Sequence, residues 1–525
     1  MTYVSDLFLA VAILYAVLRI LAGIKFRDTS FGKAFDQMAS AVFKAFEGKS
    51  LQSLKGLKIP SYLLMFAAGY LLSLFVAVPI LTYTFFGNGT FDFGVIENAI
   101  YNGSKSGNFF TYFLMKGDEP GIYFPNNHLD FGLLIFALIY KVLPRPEVLL
   151  VAQSLALLLA LIPLYKLGKL LLPPGVPRWL PLLAYWFFDP VHRINMWDFH
   201  ETPFLIPFAL WSLYFIEVGK IRWAIVSMFL MSMWRVDSWF TFAGIAAYAA
   251  IRTKKWLIFV PLGVAALTVL PLHAAFLNKV NTMNQVYPQF GSDVKTALTT
   301  LFTKPWVVLD VWWGHRGYFE RLLLLAGGPI ALFSGWRLVP LILPLSQLTL
   351  ANWGGMVQFN THYPALYIGP LMFAIIGGWR NMYPVIVRFA GIGWADKALA
   401  ASLAVALSQL AATEPGAFTK RLGDTKGRPC LVNLMKLVPE HVPLLAVDPL
   451  ATHLTHREWI SMPSPWTQLS EQDWKEIDHT EAEWLVGNNK EQLLLGMKGK
   501  KPGRPWEMVK EDCGLFIAKR AEGAR

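Results

Sequence analysis

The 525-residue chain has few charged residues and almost no cysteine. Charged side chains make up 16% of the chain and apolar ones 55%, whereas about 25% of a typical soluble protein is charged. This balance excludes a disordered chain and an ordinary soluble enzyme. The mean hydropathy of +0.42 and the 38 Phe, 20 Trp and 18 Tyr indicate a membrane protein with aromatic residues at its interfaces. The two cysteines, Cys430 and Cys513, are too few for a small disulfide scaffold.

Several common catalytic motifs are also missing. The sequence has no glycine-rich phosphate loop, Walker lysine, HExxH sequence, nucleophile elbow or CxxC pair. Their absence argues against ATP-driven transport by this chain alone and against the common soluble catalytic classes. The first apolar run lacks a basic n-region and a small-residue cleavage site, so we expect no cleavable signal peptide. The net charge of +12 does not indicate nucleic acid, because cytoplasmic loops of membrane proteins are rich in Lys and Arg.

Apolar runs of helical length supply the membrane part. A helix needs about 20 mainly apolar residues to cross hydrocarbon, and the shorter runs suggest broken helices that face protein or a wet cavity. We therefore expect an all-α polytopic membrane protein of about 12 transmembrane helices with a small C-terminal α/β domain. The predicted spans are 7–24, 61–84, 147–168, 179–191, 203–219, 222–235, 238–251, 256–277, 319–335, 338–351, 363–379 and 395–412.

Basic residues orient these spans. Lys and Arg crowd residues 25–58, so this segment is expected in the cytoplasm and the N-terminus outside. Alternation then places the other basic connections inside as well. The stretch 222–251 has basic residues at both ends, which predicts a hairpin that turns at 234–237. The apolar run 129–143 is predicted to lie in the outer interface, because counting it as a span would break this agreement.

Composition divides the chain into three parts. Residues 1–60 are predicted to form an extra first span and a basic cytoplasmic segment, and residues 61–412 the main transmembrane domain with a long external loop, 85–146. Residues 413–525 are polar and predict a small soluble α/β domain on the external side, where pairing of Cys430 with Cys513 is left open. Its strand-like runs are 430–434, 443–447, 459–462, 484–487 and 514–518, with a helix-like run at 470–477.

Unusual polar residues of the membrane part gather on the predicted external side. Asp92 either caps a helix start or acts in a site, since its loop is longer than a connection needs. Asp198, His200 and Glu201 form the densest titratable cluster. They are able to hold a divalent metal or supply a base, although a hydrated loop with Glu201 as a cap explains them too. His128 is a site candidate or a solvated loop residue.

A second set of candidates is suited to anion binding. Arg235 either clamps a phosphate or pairs with its neighbour Asp237. A second anion contact is predicted at residues 315–316, after a tryptophan-rich loop. A late span is preceded by residues 360–363, which belong either to the site or to an interfacial aromatic belt. The titratable or aromatic candidates in these two segments are His315, Arg316, His362 and Tyr363.

Taken in order, these residues resemble a prokaryotic membrane-protein family, domain of unknown function 2079, whose members look like relatives of the GT-C glycosyltransferases. The resemblance covers roughly 61–380. The sequence departs from the family pattern in lacking a proline soon after His128 and in having Val236-Asp237 where the family has an acidic pair. The matching positions are Asp92-Phe93-Gly94, His128, Tyr140 to Pro144, Gln153, Pro163-Leu164-Tyr165, Asp198-Phe199-His200, Asp237 and His362-Tyr363.

The resemblance implies a GT-C-type glycosyltransferase in the plasma membrane of a prokaryote. Such an enzyme transfers a hexosyl or pentosyl group from a polyprenyl-phosphate-linked donor to a glycan, lipid or protein acceptor on the outer face. It implies Asp92 as the leading catalytic base, with Asp198 and His200 as further catalytic candidates. No cofactor is certain, and the candidate ligands of a divalent metal are Asp198, His200 and Glu201. The substrate-binding candidates are His128, Glu201, Arg235, Asp237, His315, Arg316, His362 and Tyr363.

Two other classes fit the composition. A transporter or lipid flippase usually holds its polar groups near the bilayer midplane, often in two repeated halves. Here the polar groups cluster at the predicted outer ends of the spans, and no internal repeat is evident, which favours the transferase. The third class is a non-catalytic membrane assembly protein that works through its C-terminal domain. All three classes have the lipid bilayer as a partner and none involves nucleic acid.

Overall fold

The computed structural model describes residues 61–116, 119–125, 129–173, 176, 179–276, 286–421, 427–462, 482–488 and 506–521. The predicted first span at 7–24, the basic segment 25–58, the helix-like run 470–477 and His128 lie outside these residues.

The described part of the chain is mostly helical, which confirms the predicted fold class at that level. Its first half contains α1 (Ser61–Thr84), a π-helical turn (Thr90–Gly94), α2 (Val95–Ser106), the hairpin β1 (Phe109–Lys116) and β2 (Glu119–Phe124), α3 (Leu133–Tyr140), α4 (Pro146–Leu159), α5 (Leu161–Leu171), α6 (Leu180–Trp186), α7 (Asp189–Met196), α8 (Leu205–Glu217), α9 (Ile221–Ser232), α10 (Ser238–Thr253) and α11 (Trp256–Phe276). Then follow α12 (Val294–Thr303), α13 (Trp306–Gly314), α14 (Arg316–Leu325), a 3₁₀ segment (Pro329–Leu338), α15 (Val339–Thr349), α16 (Ala365–Ala390) and α17 (Ile392–Arg421).

Two helical stretches of the described residues are long and apolar enough to cross a membrane, Pro146–Leu171 and Pro329–Thr349. Shorter apolar helices run over Leu71–Thr84, Thr202–Glu217, Ile221–Ser232 and Trp256–Val269. Large apolar side chains face outward, with Leu257 94% and Phe302 84% exposed, as expected where lipid covers the surface. The count of about 12 spans stays a prediction.

Three segments compare directly with the sequence patterns. The hairpin predicted to turn at 234–237 is confirmed, because α9 ends at Ser232 and α10 begins at Ser238. The run 179–191, one of those too short to cross alone, is broken as the sequence suggests, since α6 ends at Trp186 and α7 begins at Asp189. Pro190 has no N–H to donate to the preceding turn, which weakens the helix at this point. In the run 129–143, α3 has 8 residues and a length of about 12 Å, too short to cross a bilayer.

The helices α8 and α10 run between two chemically different ends. At one end Glu217 accepts hydrogen bonds from Arg337 at 2.9 Å and from Arg252 at 3.4 Å. At the other end α8 is preceded by Glu201 and α10 by Asp237. The basic connections and the acidic site candidates therefore lie at opposite ends of the same helices, as the charge pattern predicts.

The C-terminal part forms a five-stranded mixed sheet beside a short helix. Its elements are α18 (Arg428–Met435), β3 (Leu444–Ala446), β4 (Ile460–Ser461), β5 (Trp484–Gly487), β6 (Trp506–Asp512) and β7 (Leu515–Arg520), in the sheet order β4-β3-β5-β7-β6. The strand β3 is parallel to β4 and β5, and β7 is antiparallel to β5 and β6. A disulfide joins Cys430 to Cys513. The strand predicted at 430–434 is wrong, because these residues lie in α18.

This sheet region packs on α1 and α2. The ring of His453 stacks on Tyr83 with centroids 4.1 Å apart, and His456 Nε2 lies 2.6 Å from Glu97 Oε1. The side-chain amide of Asn98 donates at 2.8 Å to two backbone carbonyls of the C-terminal region, those of residues 455 and 457. The contact surface therefore contains two histidines in opposite electrostatic settings.

These settings predict that docking of the C-terminal region is tightest near pH 6.5. Burial lowers the pKa of His453 from 6.5 to about 4, so docking weakens as the pH falls below 6.5, by up to about 3 kcal/mol near pH 4. Burial also opposes the charge on His456, but the Glu97 carboxylate outweighs it and raises the pKa of His456. The stabilisation from His456 is therefore lost as the pH rises above 6.5 through that raised value.

Hydrogen exchange of residues 444–461, corrected for intrinsic pH dependence, measures this effect. In His453→Phe the loss of protection below pH 6.5 should disappear, because no imidazole is left to take up a proton there. His441→Phe, at a side chain 72% exposed, should show the same pH dependence as wild type. Protection that does not change between pH 4 and 8 would contradict the prediction.

Candidate active site

The segment 197–201 is held in place by the side chain of Gln153. This glutamine, buried in α4, donates from Nε2 to the carbonyls of Ile194 at 3.0 Å and Trp197 at 3.2 Å. Carbonyls at the end of a helix have no hydrogen-bond donor within the helix. Here the side-chain amide of Gln153 is the donor for two carbonyls at the end of α7. Its Oε1 accepts the backbone N–H of His200 at 2.9 Å. Gln153 thus fixes the backbone that carries the acidic cluster.

The carboxylate of Asp198 binds the loop that follows α1. Its Oδ1 accepts a hydrogen bond from Asn88 Nδ2 at 2.6 Å, and its Oδ2 accepts one from the backbone N–H of Gly89 at 3.1 Å. A Cβ at position 89 would lie 3.1 Å from the same oxygen, so glycine permits this close approach. Asp198 therefore joins two segments that are about 110 positions apart.

This connection places Asp92 next to His200. The Asp92 carboxylate lies in the π-helical turn, with Oδ1 3.7 Å from His200 Nε2. The other ring nitrogen of His200, Nδ1, is 3.0 Å from the carbonyl of Asp198. A carbonyl only accepts, so neutral His200 carries its proton on Nδ1 and directs the lone pair of Nε2 towards Asp92.

Arg235 is the charged centre of the cluster. It is buried and donates from Nη1 to Glu201 Oε1 at 2.9 Å and from Nε to Asp237 Oδ2 at 2.9 Å. Its guanidinium also lies over the ring of Tyr363, 5.4 Å from the centroid. Within the described ranges, no protein acceptor is hydrogen-bonded to Nη2 of Arg235. The sequence predicts either an ion pair or an anion contact for Arg235. Its side chain is able to form both at once, with Nε and Nη1 in the ion pairs and Nη2 towards an anion.

His362 links Arg235 to His200. Its Nε2 lies 3.3 Å from Arg235 Nη1, and because a guanidinium only donates, the proton of neutral His362 is on Nδ1. The imidazole rings of His362 and His200 stack with centroids 3.7 Å apart and an interplanar angle of 17°. The stack therefore places the two imidazoles and the guanidinium in one contiguous group.

Asp130 belongs to this cluster although the sequence analysis assigns it no role. It lies in the loop before α3 and is fully buried, and neither of its carboxyl oxygens accepts a hydrogen bond from a described donor, while the Glu201 carboxylate lies within hydrogen-bonding reach. Burial, reinforced by Glu201, raises the pKa of Asp130 well above its ordinary value, which favours the neutral acid. The loop is held there because Gly132 N–H donates to the carbonyl of Met233 in the hairpin turn.

The structure thus brings together most of the sequence candidates. The interactions above connect Asp92, Asp198, His200, Glu201, Arg235, Asp237, His362 and Tyr363. His315 and Arg316 have other partners: His315 Nδ1 is 2.7 Å from the carbonyl of Thr349, and exposed Arg316 donates to the carbonyl of Trp313 at 3.1 Å. Their anion-binding role stays a prediction, as does the role of His128.

The predicted metal ligands do not form a joint ligand set. In the part of the chain that the structure describes, Asp198, His200 and Glu201 do not bring three donor atoms within 4.8 Å of one another. The reason is that Asp198 is bonded to the Asn88 loop and Glu201 to Arg235. Cys430, Asp512 and Cys513 do meet this distance criterion, but both cysteines are in the disulfide and so are not thiolate ligands.

The fold and the site define a mostly helical membrane protein with a polar, histidine-containing site at one end of its helices. A family model described as "Predicted membrane protein (DUF2079)" matches residues 81–507. The chain belongs to this family, which confirms the resemblance seen in the sequence. Comparison with curated proteins finds no match.

Two solved structures are similar to the chain. One is ArnT from Cupriavidus metallidurans bound to undecaprenyl phosphate, with 10% identity, a TM-score of 0.45, and coverage of 87% of this chain and 100% of that one. The other is ArnT from the same organism in the apo state, with 13% identity, a TM-score of 0.43, and coverage of 86% and 98%.

The buried charges predict a strong effect of removing Arg235. In Arg235→Met, Glu201 loses its cation while fully buried, so unfolding in detergent should become easier by about 3–5 kcal/mol. The double variant Arg235→Met with Glu201→Gln should recover part of this loss, because it removes the fully buried charge of Glu201 and leaves only the partly exposed Asp237 without its cation.

Arg316→Met is the matched control, and at this exposed position it should change stability by no more than about 0.5 kcal/mol. Equal stability of the Arg235 and Arg316 variants would show that the buried ion pairs do not form.

Proposed function

We propose that the protein is a GT-C-type membrane glycosyltransferase, which transfers a sugar from a polyprenyl-phosphate-linked donor to a hydroxyl acceptor. Asp92 is the catalytic base in this proposal, and His200 is its proton partner. Arg235 contacts the phosphate of the donor. The donor class follows the resemblance to GT-C enzymes, and the assignment of residues follows the geometry of the site.

The observation that carries the proposal is the exposure of Asp92 beside a buried charged cluster. The side chain of Asp92 is 31% exposed, compared with 15% for Asp237 and 0% for Glu201. Asp198 is engaged with Asn88 and Gly89. Asp92 is therefore the carboxylate of this cluster that a substrate hydroxyl reaches most easily.

A glycosyl transfer at this site has a balanced proton path. The acceptor oxygen bonds to the anomeric carbon while the bond from that carbon to the donor phosphate oxygen breaks, and the phosphate leaves with the electron pair. Asp92 takes the hydroxyl proton. Since the lone pair of His200 Nε2 faces Asp92, the proton is able to pass on to the imidazole. The 3.7 Å separation is long for a hydrogen bond, as is common before substrate binds.

The departing phosphate gains negative charge, and Arg235 is suited to stabilise it. Its guanidinium is held by Glu201 and Asp237 in a fixed orientation, so little reorganisation is needed when the charge develops. Nη2 is the nitrogen that we assign to the phosphate. With Glu201 and Asp237 both ionised, the three groups together carry a charge of −1, so the contact to the phosphate depends on the directed N–H groups of Nη2 and not on a net positive charge.

The external location in this proposal has one structural support. The disulfide between Cys430 and Cys513 is typical of an oxidising compartment. The C-terminal region that contains it docks on the loop carrying Asp92, so both are assigned to the same side of a prokaryotic plasma membrane.

Replacement of the base gives the sharpest functional test. Asp92→Asn keeps the size of the side chain but cannot accept the proton, so we expect kcat for sugar transfer to fall by about 10²–10⁴-fold. The KM for the lipid donor should change little, because Arg235 remains in place. The assay uses purified protein in liposomes with polyprenyl-phosphate sugars as donors.

The matched control is Asp310→Asn at an exposed position of α13, which should keep full activity. Full activity in Asp92→Asn would reject Asp92 as the base. Failure of the wild type to transfer from every donor tested would reject the glycosyltransferase and favour the transporter or the assembly protein.

A further inference from the structure

The turn that carries Asp92 is held from two sides. On one side Asn88 and Gly89 donate to Asp198 in the membrane part. On the other side Thr90 donates its backbone N–H to Asp448 Oδ1 at 3.0 Å, and its hydroxyl makes a second, short hydrogen bond to the same oxygen. Asp448 follows β3 in the C-terminal sheet region, so two parts of the chain about 360 positions apart meet at one threonine.

Thr90 is fully buried, and both its backbone N–H and its backbone carbonyl form hydrogen bonds. Its carbonyl accepts the N–H of Val95, the bond that closes the π-helical turn around Asp92. Its hydroxyl also lies 3.0 Å from that of buried Thr452. Because Thr90 is the first residue of the turn and Asp92 the third, any shift of Thr90 moves the Asp92 carboxylate relative to His200. Single-turn π-helices are frequent at functional sites.

We propose that Asp448 is a positioning residue that sets the place of Asp92, so that the C-terminal sheet region is part of the active site rather than an independent module. The proposal rests on the glycosyltransferase function proposed above. Asp448 acts through Thr90 and does not itself touch the reacting atoms.

Other contacts dock the C-terminal region without Asp448. Asn98 binds two of its backbone carbonyls, His456 pairs with Glu97, and Arg428 Nε donates to the carbonyl of Thr84 at 2.8 Å. These contacts lie on α1 and α2, on either side of the turn. Loss of the Asp448 carboxylate should therefore loosen the turn while the region stays docked.

The test compares Asp448→Leu, which removes both acceptors, with Asp448→Asn, which keeps one carbonyl oxygen for Thr90. In Asp448→Leu we expect faster hydrogen exchange in residues 88–95, unchanged exchange in residues 444–461, and about 100-fold lower kcat with little change in KM, since small misplacement of a catalytic group is costly. Asp448→Asn should recover most of the activity. Glu440→Leu, at a side chain 93% exposed, is the control and should match wild type.

The outcomes separate the two proposals. Unchanged exchange in residues 88–95, or faster exchange there with full activity, overturns the positioning role. Faster exchange throughout the C-terminal region overturns it too, because Asp448 would then serve docking. If the wild type transfers no sugar, the proposed function fails, and the exchange of residues 88–95 still decides whether Asp448 holds the turn.

Discussion

The bond of Asp198 to Asn88 and Gly89 is the interaction on which the site depends. It ties the loop after α1 to the segment that carries His200, and so brings the turn that carries Asp92 next to the imidazole. The carboxylate accepts from one side-chain amide and one backbone N–H, which suits a charged acceptor removed from water. In the structure Asp198 therefore joins two segments of the chain, whereas the sequence analysis names it a further catalytic or metal-binding candidate beside Asp92.

A second constraint is the balance of charge around Arg235. One guanidinium serves two ionised partners, Glu201 and Asp237, while the nearby Asp130 favours its neutral form. Because Asp130 favours the neutral acid, it adds no third negative charge beside the one cation. The centre thus combines a guanidinium in a fixed orientation with two carboxylates, and in the proposed reaction the phosphate meets it through the N–H groups of Nη2.

Much of this site was predictable because rare polar residues stand out in an apolar chain. The hairpin turn at 234–237 followed from basic residues at both ends, and the candidates at 198–201 and 362–363 followed from their position beside predicted spans. Asp130 was missed, because the local sequence does not reveal that its carboxyl group is fully buried beside Glu201. Thr90 and Asp448 were also missed. Neither lies in a recognisable motif, and the local sequence gives no indication of a contact between residues 358 positions apart.

Local errors have equally specific causes. The run 430–434 is short and apolar, and such runs do not distinguish a strand from a helix. The strand β6 escaped prediction because it lies at the edge of the sheet and six of its seven residues are exposed, so it shows no apolar alternation.

The glycosyltransferase proposal requires the polar cluster to lie at one surface of the membrane, whereas such groups in a transporter usually lie near the bilayer midplane. The most direct test of this claim is labelling, in sealed vesicles with a membrane-impermeant thiol reagent, of variants that carry one added cysteine and keep the Cys430–Cys513 disulfide. Asp92→Cys and Arg316→Cys should react from one side of the membrane, and Lys254→Cys, at the far end of α10, only from the other. Reaction of Asp92→Cys and Lys254→Cys from the same side would contradict the account.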